Sequence, residues 1–332
     1  MWIKKKSYSV RMLITIALFS LFCCGLVFTS PKSNSKEDET VKRVAILQVI
    51  EHPALNSTRQ GIEDELKNEG ENIKIEYECA QGNPTLAAQI AQKFVGNKVD
   101  LMVGIGTTTA QALVSANKNQ AIPIVFSSVT DPLNAKLVSD LKRPNGKVTG
   151  VSNFVSSLLQ FKIFKEILPK AKTIGIIYNP GDANAAVLAE EMKKNSTPFG
   201  FQLIFAAANS TAEVPSATLG LIKKVDAIFI NNDNTALAAF DSIIKIATLN
   251  KVPVFCSDTD TIKQGALAAL GPNQYQIGRQ TGKLIRQILN GTSPGEISVE
   301  FPEKTELYLN QKIAKEISVE FPQELIQQAN HK

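Results

Sequence analysis

Histidine, cysteine and tryptophan are all scarce in this chain, and each scarcity excludes something. Only His52 and His331 occur among 332 residues, which rules out a His-rich metal centre and leaves a Ser-His-Asp triad little to draw on; no G-x-S-x-G elbow is present either. Four cysteines, two of them the adjacent Cys23 and Cys24, are too few for a disulfide scaffold. The single Trp, Trp2, lies at the extreme N-terminus, so any aromatic stacking in a binding site must come from Phe or Tyr. A general basic surface is also missing. The net charge is +5, but Lys4, Lys5, Lys6 and Arg11 fall within residues 1–30 beside no acid, leaving 32 basic against 31 acidic residues elsewhere. A nucleic-acid partner is therefore not expected.

One long apolar run is present, at residues 12–28 (MLITIALFSLFCCGLVF), behind the basic stretch 4–11. This is the layout of a secretory signal, and its 17 residues also reach the lower limit for a membrane span. Residues 1–30 are read as a signal peptide or membrane anchor, with cleavage, lipidation and retention all open. The polar stretch 31–40 (PKSNSKEDET from Pro31 to Thr40) reads as a flexible linker. Export would invite a disulfide, but Cys79 and Cys256 are expected in separate lobes as free, buried thiols.

From Val41 onward short apolar runs alternate with amphipathic stretches, the pattern of a parallel sheet covered on both faces. Strands are expected at 44–49 (VAILQV), 73–79, 101–105 and 122–126, with helices between them; one has Leu55, Ile62 and Leu66 on one face and Gly70 as its stop. Asn83-Pro84 reads as an N-cap followed by proline at the first helical position. The order then repeats: strands at 173–178, 201–206, 227–230 and 252–255, helices at 183–194 and 235–250. The echoes extend to detail. Lys98-Val99-Asp100 precedes one buried strand and Lys224-Val225-Asp226 its counterpart; Ile122-Pro123 matches Val252-Pro253. The expected fold is α/β, two doubly wound parallel-sheet lobes joined by a hinge. A shorter repeat, EISVEFP at 296–302 and 316–322, suits a strand in its first copy and the end of the fold in its second.

Ligands of open parallel sheets bind beyond the carboxyl ends of the strands, and polar residues gather at those places. Gly104-Ile105-Gly106-Thr107-Thr108-Thr109 turns into a helix whose free N–H groups favour an anion, although it is neither a Walker loop nor a dinucleotide fingerprint. Loops at 127–132, 179–184, 231–235 and 257–261 add hydroxyls, amides and carboxylates. Singly each reads as a cap or turn; five from two lobes facing one cleft would hold a zwitterion. The candidate ligand-binding residues are His52, Thr107, Thr108, Ser128, Thr130, Asp131, Asn184, Asn232, Asp233 and Asp258, with Asp131, Asp233 or Asp258 countering an ammonium. Neither metal nor cofactor nor catalysis is expected.

Residues 52–55 (HPAL), 80–83 (AQGN), 104–107 (GIGT), 126–132 (FSSVTDP), 150–152 (GVS), 178–184 (YNPGDAN), 231–233 (NND) and 270–275 (LGPNQY) resemble the substrate-binding proteins of ABC importers. The likeness is narrower still to bilobal, periplasmic-binding-protein-like lipoproteins that include tryptophan, phenylalanine and tyrosine binders. It spans 41–322, with Ala185 where the family pattern often has Ser. The resemblance implies an exported or membrane-anchored receptor, type I periplasmic-binding-protein-like, that closes on an aromatic or large apolar amino acid and delivers it to an ABC permease and its ATPase. It implies crossings between lobes near 150, 262–270 and 291–296, giving lobe 1 as 41–150 plus 264–294 and lobe 2 as 151–263 plus 295–326. A sensing receptor domain, a binder of another small polar solute such as a sugar or nucleoside, and an enzyme using the cleft carboxylates are the alternatives.

Overall fold

A computed structural model describes residues 41–67, 72–144 and 146–330. The leader at 1–30, the linker at 31–40, Gly70 and His331 lie outside the described residues.

The first sheet begins with β1 (Lys42–Gln48), whose last five residues are all buried, as expected of a strand covered on both faces. Then follow α1 (Pro53–Lys67), β2 (Ile73–Cys79), α2 (Pro84–Gly96), β3 (Leu101–Ile105), α3 (Thr107–Ala116), β4 (Ile124–Val129) and β5 (Val148–Ser152). All pairings are parallel, in the order β2-β1-β3-β4-β5. Asn83 caps α2 through its side-chain oxygen, which accepts from the N–H of Thr85 at 2.9 Å and of Leu86 at 3.1 Å.

The second sheet takes α4 (Ser157–Ile167), β6 (Thr173–Tyr178), α5 (Ala183–Ser196), β7 (Gln202–Ala207), α6 (Val214–Leu221), β8 (Ala227–Ile230), α7 (Asn234–Ala238), α8 (Phe240–Leu249), β9 (Val254–Cys256) and β10 (Ala268–Pro272). The chain then makes α9 (Gln274–Leu289), β11 (Thr305–Leu309), α10 (Gln311–Ile317) and α11 (Gln323–Gln328). The sheet order is β7-β6-β8-β9-β10-β11, with β11 antiparallel. Strand for strand, β6 to β10 repeat the topology of β1 to β5. The fold is thus two parallel-sheet α/β lobes.

The sequence echo before β3 and β8 has a structural cause. Asp100 accepts from the N–H of Arg43 at 2.7 Å, and Asp226 accepts from the N–H groups of Lys172 and Thr173, each at 2.8 Å. In each lobe the same Asp ties the third strand's entry to the first strand's, fixing register where the ladder begins.

The chain crosses between lobes three times, later than expected. The second expected crossing, at 262–270, falls instead at Pro272–Gln274: Ala268–Pro272 is a strand of the second sheet, paired with β9 at Ala268↔Phe255 and Ala269↔Cys256. Its Ala-Ala-Leu-Gly-Pro sequence carries little strand propensity, which hides it. The third expected crossing, at 291–296, is also displaced, because Glu300 still bonds to β5 through Ser152 N–H (2.9 Å) and Gly150 O (3.0 Å). The first copy of EISVEFP runs extended there, with a single bridge to β5; the second ends α10 through Ser318 at φ 61° and opens α11 at Pro322. The expected single helix at 235–250 is two helices that meet at Ala239. Cys79 and Cys256 are unpaired and end strands of different sheets; Cys256 is buried and Cys79 half-buried.

Two features aim the site. Gly106, at φ 94°, turns the chain sharply from β3 into α3. Helices α1 and α9 approach so closely that a Cβ on Gly278 would lie 2.1 Å from the Thr58 carbonyl oxygen, and one on Gly61 2.2 Å from that of Tyr275. That contact sets the start of α9 beside α1 although more than 200 residues separate them in sequence.

Candidate functional site

A parallel βα unit leaves its helix N-termini at the carboxyl ends of the strands. In this molecule the carboxyl ends of both sheets face a single cavity. From the first lobe it is lined by His52, Ala54 and Leu55 at the start of α1, Thr107 at the start of α3, Ser128 and Thr130 at the end of β4, and Gln274 at the start of α9. Asn153 comes from the link after β5; Asn184 opens α5, Asn232 and Asn234 lead into α7, which adds Leu237, and Asp258 follows β9. The cavity between them is narrow, with about 20 Å³ open to the centre of a water molecule.

All five polar loops singled out in the sequence contribute to this cavity. Seven of the candidate residues line it: His52, Thr107, Ser128, Thr130, Asn184, Asn232 and Asp258. Three do not, for local reasons. Asp131 turns back on its own loop, accepting from the N–H groups of Leu133 (3.1 Å) and Asn134 (3.0 Å) and from the Asn134 amide (2.5 Å). Asp233 is buried as the N-cap of α7, accepting from Ala236 N–H at 2.7 Å and from Asn179 N–H at 2.6 Å; desolvation pushes its pKa up to about 6 against these bonds. Thr108, one residue into α3, is outside the lining. Asp258 is then the only carboxylate among the described residues of the wall.

Gln274, Asn234, Asn153, Ala54, Leu55 and Leu237 were not singled out as site residues. Pro53–Leu55 belongs to a motif read for its resemblance alone. Gln274 follows an unrecognised strand, and Asn153 sits in the crossing between lobes, where no periodicity marks it. Gln274 is tightly placed: its Oε1 accepts from Ser128 Oγ at 2.9 Å and lies 3.1 Å from Thr58 Oγ1. Across the cleft, Asn184 donates through Nδ2 to the Asn232 carbonyl at 2.7 Å, while its buried Oδ1 has no partner. Ser257 Oγ donates to Asn232 Oδ1 at 2.9 Å. Ser57 of α1 reaches Asp260 of the second lobe at 3.3 Å, so the lobes touch at the mouth.

The electrostatics are asymmetric. Among the described residues no Lys or Arg lines the cavity, but α1, α3, α5 and α9 all begin at it, and their free N–H groups and dipoles supply positive potential. Asp258 supplies the one carboxylate among the described residues of the wall. His52, only 6% exposed, is held to a pKa of about 4 by burial, against the weaker pull of Asn234, Asp260 and Glu51, and is therefore neutral at pH 7. Among the described residues no aromatic side chain lines the cavity; its apolar surface is Ala54, Leu55 and Leu237. Among the described residues no group of three or more His, Cys, Asp or Glu is arranged to hold a metal, and no helix is long and apolar enough to cross a membrane.

Residues 43–332 match the family model described as ABC transporter substrate binding protein. The chain is 33% identical over 288 residues to a tyrosine-binding protein of Clostridioides difficile (strain R20291), covering 86% of this chain and 82% of that one. It superposes with a TM-score of 0.84 on an ABC domain from Streptococcus pneumonia in complex with L-Trp, at 33% identity, covering 87% of this chain and 98% of that one. The TM-score falls to 0.66 against a ligand-free, open substrate-binding protein from Clostridium difficile, at 34% identity and covering 88% and 99%.

Proposed function

This chain belongs to the ABC transporter substrate-binding protein family, and from that premise we propose that its cleft captures a zwitterionic amino acid with an aromatic or large apolar side chain by closure of the two lobes. It is the solute-binding component of an ABC transporter, so a permease and an ATPase are its partners. The observation that carries the ligand assignment is the pairing, in one cavity, of converging helix N-termini with the lone carboxylate of Asp258. An α-carboxylate suits the first and an α-ammonium the second. Each lobe holds only part of that set, so the bound state is the closed one. The relatives' ligands, tyrosine and L-Trp, support the same class.

The site's groups bind and orient; we assign them no bond-breaking role. We also place the protein outside the cytoplasm, as its family is, held to the membrane through the leader at 1–30. Titration calorimetry of the intact protein against the twenty amino acids, with hexoses and nucleosides as controls, tests the ligand class. Heat with aromatic amino acids and none with the controls is expected. Heat only with a sugar or nucleoside would replace the amino-acid reading.

A further inference from the structure

The charged ends of an amino acid leave His52 unused. Both of its ring nitrogens are buried, and neither has a partner at full hydrogen-bond geometry, the Asn234 side chain being the one polar group close enough to act on the ring as a weak hydrogen-bond partner. A neutral imidazole carries one N–H donor and one bare acceptor, and leaving such groups unsatisfied in a buried place is costly. Asn234 can serve at most one of the two nitrogens, so His52 keeps at least one buried polar atom without a partner.

Its surroundings show which part of a ligand it would meet. His52 stands just ahead of α1, with Ala54 and Leu55 following in the same wall. Facing it from the other lobe are Asn234 and, one turn along α7, Leu237. Every apolar residue of the lining thus belongs to the two short segments that meet at His52. The charged groups nearest to it are Asp260, at the second-lobe contact with Ser57, and Glu51, which is engaged by the Tyr77 hydroxyl. The hydroxyls and amides of Thr107, Ser128 and Gln274 come from the other helix starts and from β4. An amino acid whose ionic ends occupy Asp258 and those helix starts would send its side chain between Leu55 and Leu237, toward the imidazole.

We propose that His52 is a specificity-determining residue, forming a hydrogen bond to a polar group on the ligand's ring, so that the site selects an aromatic amino acid bearing a phenol hydroxyl or an indole N–H over phenylalanine. This rests on the amino-acid reading of the cavity. A buried polar group left without its partner is what allows a site to reject an analogue lacking one hydroxyl or N–H.

The test is calorimetric affinity of the intact protein for L-tyrosine, L-tryptophan and L-phenylalanine, in wild type and in His52→Leu, with His52→Met as a second apolar variant should the first fail to fold. Wild type should bind tyrosine or tryptophan at least roughly 10-fold more tightly than phenylalanine. The apolar variant should narrow that gap to about threefold or less, chiefly by losing the preferred ligand, and its remaining phenylalanine affinity reports an intact cleft. Equal wild-type affinity for phenylalanine, binding of aliphatic amino acids alone, or a gap that survives the substitution would each overturn the inference and leave the amino-acid reading standing. No binding of any amino acid would overturn that reading and this inference together.

Discussion

Ser128 Oγ donates to Gln274 Oε1 at 2.9 Å, joining an irregular point of β4 to the first residue of α9. Ser128 holds φ 54° in a strand that shifts register between Ser127 and Val129, a left-handed conformation that costs a non-glycine residue on the order of 1 kcal/mol. With Thr58 Oγ1 lying 3.1 Å from the same oxygen, the Gln274 amide is turned so that its NH2 is free to serve a ligand carboxylate.

The strain and the hydrogen bond can be separated by substitution. Ser128→Gly relieves the backbone and removes the hydroxyl. Thermal stability is expected to be unchanged or slightly raised, while ligand affinity falls about 5- to 10-fold, the usual worth of one lost hydrogen bond in a buried network. Melting followed by circular dichroism, with calorimetry on the same sample, checks the two halves of the expectation.

A second expectation concerns the carboxylates. Asp258→Asn keeps the shape and removes the charge, so an ammonium in the cavity loses its only full counter-charge. The loss should be about 2 kcal/mol or more, roughly 30-fold in affinity. Asp131→Asn, whose carboxylate is spent on the Leu133 and Asn134 amides, should leave affinity within about twofold. Equal losses in the two variants would move the ammonium site elsewhere.

Those two residues also show what sequence can and cannot reveal. Alternation of apolar and amphipathic stretches was enough for the repeated parallel sheets, because a strand buried on both faces writes a continuous apolar run. It failed for Val148–Ser152, Ala268–Pro272 and Thr305–Leu309, whose Gly, Pro and Ala content or polar edges resemble loops; the expected crossings between lobes came from the family resemblance instead. The polar loops were legible as a set. Which carboxylate faces the cleft was not, since Asp258, which lines it, also caps its own turn by accepting from Asp260 N–H at 3.0 Å, just as Asp131 and Asp233 cap theirs. Gln274 was quoted only within the 270–275 resemblance and not as a site residue, because its place depends on packing of α1 against α9, a contact between distant segments that no local pattern encodes.

The pH dependence of stability follows from two buried groups with opposite signs. His52 titrates near 6.5 when unfolded and about 4 when folded, so between these values the unfolded chain binds more protons and stability rises with pH. Asp233 titrates near 3.8 unfolded and about 6 folded; in that window the native state binds more protons and stability falls as pH rises. The windows overlap and the slopes oppose. Removing the imidazole in His52→Leu should leave the Asp233 slope exposed, so that the variant loses stability from pH 4 to pH 6 relative to wild type. Urea unfolding at pH 4, 5, 6 and 7 measures this. A difference between variant and wild type that does not change with pH would show that His52 titrates normally.

The last expectation concerns the seam between α1 and α9. A Cβ on Gly278 would stand 2.1 Å from the Thr58 carbonyl oxygen and 2.9 Å from Gly61 Cα, both backbone atoms with no flexible end to yield. Gly278→Ala must therefore push the helices apart, at a cost of about 1–3 kcal/mol in stability. It should also weaken binding, because α1 carries Leu55 and α9 carries Gln274 into the same wall. Gly96→Ala, at the end of α2 with open space around it, is the matched control and should be neutral or stabilising by up to ~1 kcal/mol. If Gly278→Ala unfolded at the wild-type urea midpoint, the close approach of the helices would not be what positions Gln274, and its hydrogen bonds to Ser128 and Thr58 would have to do so alone.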